Sequence, residues 1–175
     1  MKQLIYLSIL TFLISCGGQE SNQKSNIKRC ESLDCYANGT CEDNGKPFTG
    51  SCEAFQENGE YLNQMNFENG KIHGVCKYYY PDGTLEMEAT FNMGIRNGVT
   101  KNYYPNGNLS SIENFVNEEL QDSLFAYYMN GKLESKGIVV NGLKEGDWII
   151  FDSLTTKPTE IAVFVKDDIV DLKSY

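Results

Sequence analysis

Gly74-Val75-Cys76-Lys77-Tyr78-Tyr79-Tyr80-Pro81-Asp82-Gly83-Thr84-Leu85-Glu86-Met87-Glu88-Ala89-Thr90-Phe91 decides the fold. Val75 to Tyr80 is rich in apolar and aromatic residues, which favour strands. Pro81-Asp82-Gly83-Thr84 has Pro and Gly where a tight turn wants them. Leu85 to Phe91 alternates apolar and polar, the pattern of a half-buried strand. The stretch reads as one β-hairpin. It recurs every 24 residues: Gly50, Gly74, Gly98, Asp122 and Gly146 form one column, and Phe55, Tyr79, Tyr103, Tyr127 and Phe151 another. Gly59, Gly83, Gly107 and Gly131 form a third, Tyr61, Leu85, Leu109 and Leu133 a fourth, and Phe67, Phe91, Phe115 and Val139 a fifth. A fixed period of this length means stacked supersecondary units. A lone hairpin is marginal, so the units are expected to pair in series. The predicted fold is all-β: an elongated, antiparallel, single-layer sheet of stacked hairpins.

Several quoted segments carry a resemblance. They are Asn69-Gly70-Lys71-Ile72-His73-Gly74, Tyr79-Tyr80-Pro81-Asp82-Gly83-Thr84-Leu85, Tyr103-Tyr104-Pro105-Asn106-Gly107-Asn108-Leu109, Tyr127-Tyr128-Met129-Asn130-Gly131-Lys132-Leu133 and Asn141-Gly142-Leu143-Lys144-Glu145-Gly146-Asp147-Trp148. Their pattern resembles the MORN-type repeat, in the bacterial variant of the YwqK-type antitoxin family. The resemblance implies a curved sheet with a binding or scaffolding role and no catalysis. One unit departs from it. Glu118 stands where Gly70 and Gly94 stand elsewhere, and Asp122 where Gly74 and Gly98 stand. Asp tolerates left-handed backbone better than most residues and Glu does not, so a bend or a different linker conformation is expected there.

The ends read differently from the body. Lys2 precedes an apolar run of about eleven residues, Leu4 to Ile14. That is too short to span a bilayer and fits a signal-peptide core. Leu13-Ile14-Ser15-Cys16 follows and resembles the lipobox of bacterial lipoproteins. The resemblance implies cleavage after residue 15 and lipidation of Cys16, whose acyl chains would anchor the protein. No Asp follows Cys16, which favours the outer membrane over the inner. Residues 16–29 read as a flexible tether, residues 30–49 as a Cys-rich cap, 50–151 as the repeats and 152–175 as closing strands. The cell envelope is the expected location.

Beyond Cys16, five cysteines remain: Cys30, Cys35, Cys41, Cys52 and Cys76. Export places them where disulfides persist, and an odd count leaves one over. Cys52 and Cys76 share a repeat phase with Thr100, Leu124 and Trp148, an inward-facing column. Equivalent positions lie two strand spacings apart, about 10 Å, beyond the roughly 7 Å that a disulfide spans. Two bridges among Cys30, Cys35, Cys41 and Cys52 are therefore expected, with Cys76 a buried thiol.

The composition narrows function. With 15 basic and 24 acidic residues the net charge is −9, which argues against nucleic acid as partner, since that requires a cationic surface. The single histidine, His73, shares a linker column with Arg96, Gln121 and Glu145, a solvated position. Cysteine spacing matches no zinc pattern, and Asp34, Asn38 and Gly39 only partly mimic a calcium loop, with Tyr36 at a ligand position. No enzyme activity, metal or cofactor is expected. Two tyrosine columns remain. Alternation in a strand puts Tyr79, Tyr103 and Tyr127 on one face and Tyr80, Tyr104 and Tyr128 on the other. Such ladders stabilise sheets and also bind proteins or sugars. Tyr80, Tyr104 and Tyr128 are the candidate binding surface. The expected partner is a protein, in the specific version a toxin, with glycan or cell wall as the alternative.

Overall fold

The computed structural model describes residues 27–174. The leader, Cys16 and most of the tether lie outside the described residues. The N-terminal part comprises β1 (Lys28–Arg29), β2 (Asp34–Cys35), β3 (Cys41–Asp43) and β4 (Lys46–Pro47). The repeats follow as β5 (Gly50–Phe55), β6 (Tyr61–Glu68), β7 (Lys71–Ile72), β8 (Gly74–Tyr79), β9 (Leu85–Asn92), β10 (Ile95–Tyr103), β11 (Leu109–Val116), β12 (Glu119–Leu120), β13 (Asp122–Tyr127), β14 (Leu133–Val140) and β15 (Leu143–Phe151). The chain closes with β16 (Pro158–Val165) and β17 (Asp168–Ser174). From β5 onward, strands pair antiparallel in chain order into one long sheet, while β2, β3 and β4 form a small second sheet.

Two kinds of turn alternate along the long sheet, each with its own chemistry. At one edge Tyr80 N–H donates to Thr84 C=O and Gly83 N–H to Tyr80 C=O. The loop between them has three residues, and Gly83 sits at φ +81°. This is a type I turn closed by a left-handed residue, one of the common hairpin solutions. Gln56–Glu60, Tyr104–Asn108 and Tyr128–Lys132 repeat it bond for bond. At the other edge both turn residues have positive φ: Asn69-Gly70, Met93-Gly94, Asn117-Glu118, Asn141-Gly142 and Lys166-Asp167. That is the signature of two-residue type I′ hairpins. The linkers between repeats are thus hairpins themselves.

Glu118 and Asp122 correct the expectation of a bend. They lie at φ +72° and +67°, the conformation that glycines hold in neighbouring repeats. Glu118 has a local compensation: its backbone N–H donates to Arg96 C=O and its carboxylate accepts the Arg96 N–H. Asp167 does the same two units later, its carboxylate accepting Lys144 N–H at 2.6 Å. Asp122 makes only a 3.3 Å contact from the Ser123 hydroxyl. Asp122→Gly is therefore expected to raise stability by about 1 kcal/mol, the scale of the left-handed penalty. Urea unfolding of the two chains measures it; a loss of stability would contradict the strain assigned here.

The sheet has one packed face. Cys52, Cys76, Ala89, Thr100, Trp148 and Ala162 are buried on it, with Phe67, Phe115 and Val139 beside them. At the N-terminal end, Leu33, Cys41 and Phe48 of the cap pack against Cys52 and Phe67. Gly70 lets the cap approach, since a Cβ there would stand 2.8 Å from Thr40 Cγ2 and 2.9 Å from the Cys41 carbonyl. At the C-terminal end, Val139, Trp148 and Ala162 form a second cluster with Leu124 and Phe164.

The cap is stapled by Cys30–Cys52 and Cys35–Cys41. Cys76 is free and buried, and burial raises its thiol pKa, against a lowering contribution from the Asn66 N–H. Lys28 and Arg29, read from sequence as tether, are strand instead: they lie parallel to β5, with Lys28 beside Cys52 and Arg29 beside Glu53. The adjacent Cys30–Cys52 bridge holds them there.

Candidate functional site

The packed face leaves the opposite face of the sheet open. One row of side chains crosses that open face from β5 to β16, each residue paired with the next: Glu53, Gln64, Lys77, Glu88, Lys101, Ile112, Phe125, Lys136, Ile149 and Ile161, with Arg29 and Lys173 at its two ends. The row changes character midway. In its first half the polar groups satisfy one another: Gln64 Nε2 donates to Glu53 at 3.0 Å, and Lys77 Nζ lies 3.3 Å from Glu88. From Ile112 to Ile161 it is apolar apart from Lys136, whose row neighbours are Phe125 and Ile149. Ile138, on the same face beside Ser123, is 49% exposed.

An aromatic row leans over this one. Tyr79 donates its hydroxyl to Gln64 at 3.1 Å and Tyr103 to Glu88 at 3.2 Å. Burial is the main cause that raises both phenol pKa values, and Glu88 adds to the rise at Tyr103. Phe55, Tyr61 and Tyr79 stack in succession, centroids 4.8 and 5.4 Å apart. Tyr127, one unit beyond Tyr103, has Ile112 where Tyr103 has Glu88.

Tyr80, Tyr104 and Tyr128 are placed differently from the expected second face. β8 ends at Tyr79, and the register shifts between Tyr78 and Tyr79. Tyr80 therefore opens the turn and the strict alternation no longer applies. The hydroxyls of Tyr80, Tyr104 and Tyr128 donate to the carbonyls of Tyr103, Tyr127 and Phe151 at 2.7, 2.8 and 3.0 Å. Each joins one repeat to the next, and each ring is half-buried. Gln56 plays this part in the first repeat, reaching Tyr80 C=O with its side-chain amide. The hydroxyls of these tyrosines thus hold one repeat to the next. Changing all three to Phe is expected to cost about 1 kcal/mol per lost hydrogen bond without unfolding the sheet; an unchanged thermal midpoint would contradict that assignment.

The open face holds shallow depressions rather than a cleft. Three of them, of about 260, 170 and 190 Å³, lie along it. All fall below the roughly 300–1,000 Å³ of small-molecule pockets. His73 is half-exposed on the turn edge, its Nε2 3.3 Å from Glu68, an arrangement that involves no nucleophile. Asp34 lies in β2 and Asn38 accepts the Thr40 N–H, so these residues support the cap hairpin. Among the described residues no group of His, Cys, Asp and Glu is arranged to hold a metal ion.

Residues 66–85 match the MORN repeat, and residues 96–117 match the MORN repeat variant. Both matched stretches are MORN-type repeats, a class of module that generally binds proteins or membranes. No curated protein matches the chain.

Proposed function

We propose that this chain is a non-enzymatic envelope lipoprotein, anchored through Cys16, whose repeat sheet binds a protein partner on its open face. The observation that carries the reading is the apolar half of the cross-sheet row: the half-buried Ile112, Phe125, Ile149 and Ile161, with the exposed Ile138 beside them. Exposed apolar patches rimmed by polar groups mark interaction surfaces. Lys136 stands in their midst, and Asp147 lines the same depression, so the apolar patch is rimmed by charge of both signs. The more specific form, capture of a toxin by an antitoxin-like or immunity-like protein, follows from the YwqK-type resemblance. Glycan or cell-wall binding is the competing reading. It is disfavoured because the rings of Tyr80, Tyr104 and Tyr128 are half-buried and their hydroxyls are engaged by backbone carbonyls of the next repeat.

The test pairs Lys136→Glu with Ile138→Asp, since neither side chain is part of the buried core. Affinity capture from the native envelope is expected to retain one protein in stoichiometric amount with the parent chain and lose it with the double variant, at equal urea midpoints. Retention on peptidoglycan or polysaccharide, unchanged by the variant, would overturn the reading.

A further inference from the structure

We propose that the outer edge of β17 pairs antiparallel with β17 of a second copy of this chain. The two ends of the long sheet are finished differently. At the N-terminal end β1 lies on β5, and Cys30 ties the cap to the sheet. At the other end β17 bonds β16 on its inner side, and no strand among the described residues pairs with its outer side. All seven residues of β17 are exposed. Ile169, Val170 and Leu172 are each more than half exposed, on a strand whose outer side has no strand partner among the described residues; the Leu172 N–H meets the Asp171 carboxylate of its own strand at 2.9 Å. An edge of this kind is a template for strand addition.

The order of charges on the strand selects both the partner and the register. β17 reads Asp168-Ile169-Val170-Asp171-Leu172-Lys173-Ser174. Antiparallel self-pairing about a two-fold axis through Leu172 places Asp171 opposite Lys173 twice, Leu172 against itself and Val170 opposite Ser174. Directly opposed unlike charges stabilise a strand pair and like charges destabilise it. An axis through Asp171 would oppose two carboxylates. An axis through Val170 would set Asp171 against Ile169, and the β16–β17 register slips in this part of the strand, between Val163 and Phe164. The Leu172 register is thus the one that matches charge to charge on the regular part of the strand. Asp171 and Lys173 already lean together within one copy, at 3.5 Å and well exposed, so exchanging that contact for the cross-copy one costs little. A two-fold axis perpendicular to the sheet keeps the same face up in both copies. The apolar half of each open face, at Ile149 and Ile161, then flanks the axis. This inference is independent of what the open face binds.

The test is a charge swap followed by sedimentation velocity of the full chain in non-ionic detergent at physiological salt, where repulsion between two acidic copies is screened. The parent is expected to show a concentration-dependent dimer. Asp171→Lys alone and Lys173→Asp alone each create like-charge pairs and are expected to weaken it by about tenfold or more. The double variant Asp171→Lys, Lys173→Asp restores the match and is expected to restore the dimer. Leu172→Cys should cross-link the copies under mild oxidation, as the paired Cα atoms fall within disulfide reach, while Val170→Cys should not. A parent monomeric at every concentration, a dimer indifferent to the single charge changes, or failure of the double variant to rescue would each overturn the proposal.

Discussion

Trp148→Ala is expected to lower the stability of the fold by about 3–5 kcal/mol, the range for removing a large buried aromatic. Trp148 is 2% exposed. It packs with Val139 and Ala162, meets the Phe164 ring at 5.8 Å and donates its indole N–H to Ile138 C=O at 3.2 Å. Lys144 stands 4.4 Å over its ring. The indole fits because position 137 is glycine: a Cβ there would sit 2.3 Å from Trp148 Cδ2. Gly137→Ala alone should therefore cost about 1–3 kcal/mol by overpacking. In the Trp148→Ala background the clash partner is gone, and the same change should be nearly neutral. That coupling, read from urea midpoints of the four chains in a double-mutant cycle, distinguishes a specific ring-on-glycine contact from general fragility. Additive losses would contradict the assignment.

Opening the Cys30–Cys52 bridge by Cys30→Ser is expected to cost about 3 kcal/mol, from the loop-closure entropy of its 22-residue separation. The loss should exceed that of opening Cys35–Cys41, whose separation is only 6 residues. The longer bridge also fixes the cap onto the sheet, since Cys52 is fully buried among Leu33, Cys41, Phe48 and Phe67. Cys76 supplies an internal reporter, because it is fully buried in the parent and its depth makes the thiol a poor nucleophile. Thiol labelling during denaturant titration should stay silent at Cys76 until the sheet opens. Equal stability with and without the Cys30–Cys52 bridge would contradict this account of the cap.

The hairpin stack was legible because its turns are chemically explicit. Pro81-Asp82-Gly83 and Asn106-Gly107 name one turn, and Asn69-Gly70 and Asn141-Gly142 the other. The inward column of Cys52, Cys76, Thr100, Leu124 and Trp148 was legible from phase alone: four of the five are buried and Leu124 is half-buried. Two things were hidden. The fixed period ends after Phe151 in the sequence, yet the structure continues the stack. The loop that Asp152 and Lys157 close adds one residue, so Ala162 faces Trp148 25 positions after Gly137 rather than 24. A one-residue loop insertion erases a fixed period without altering the stack. The open-face row was hidden for another reason. Its members come from different columns of the repeat, and only the cross-strand register sets Ile112 beside Phe125 and Lys136 beside Ile149.

Protein recognition by the apolar half of the open face is most directly tested by site-specific photo-crosslinking in the native envelope. A photoreactive side chain at position 138, on the open face, is compared with one at position 130, on the exposed turn edge. The account predicts a single protein adduct of defined mass from position 138 and none from position 130. Adducts of the same pattern from both positions, or none from position 138, would contradict it.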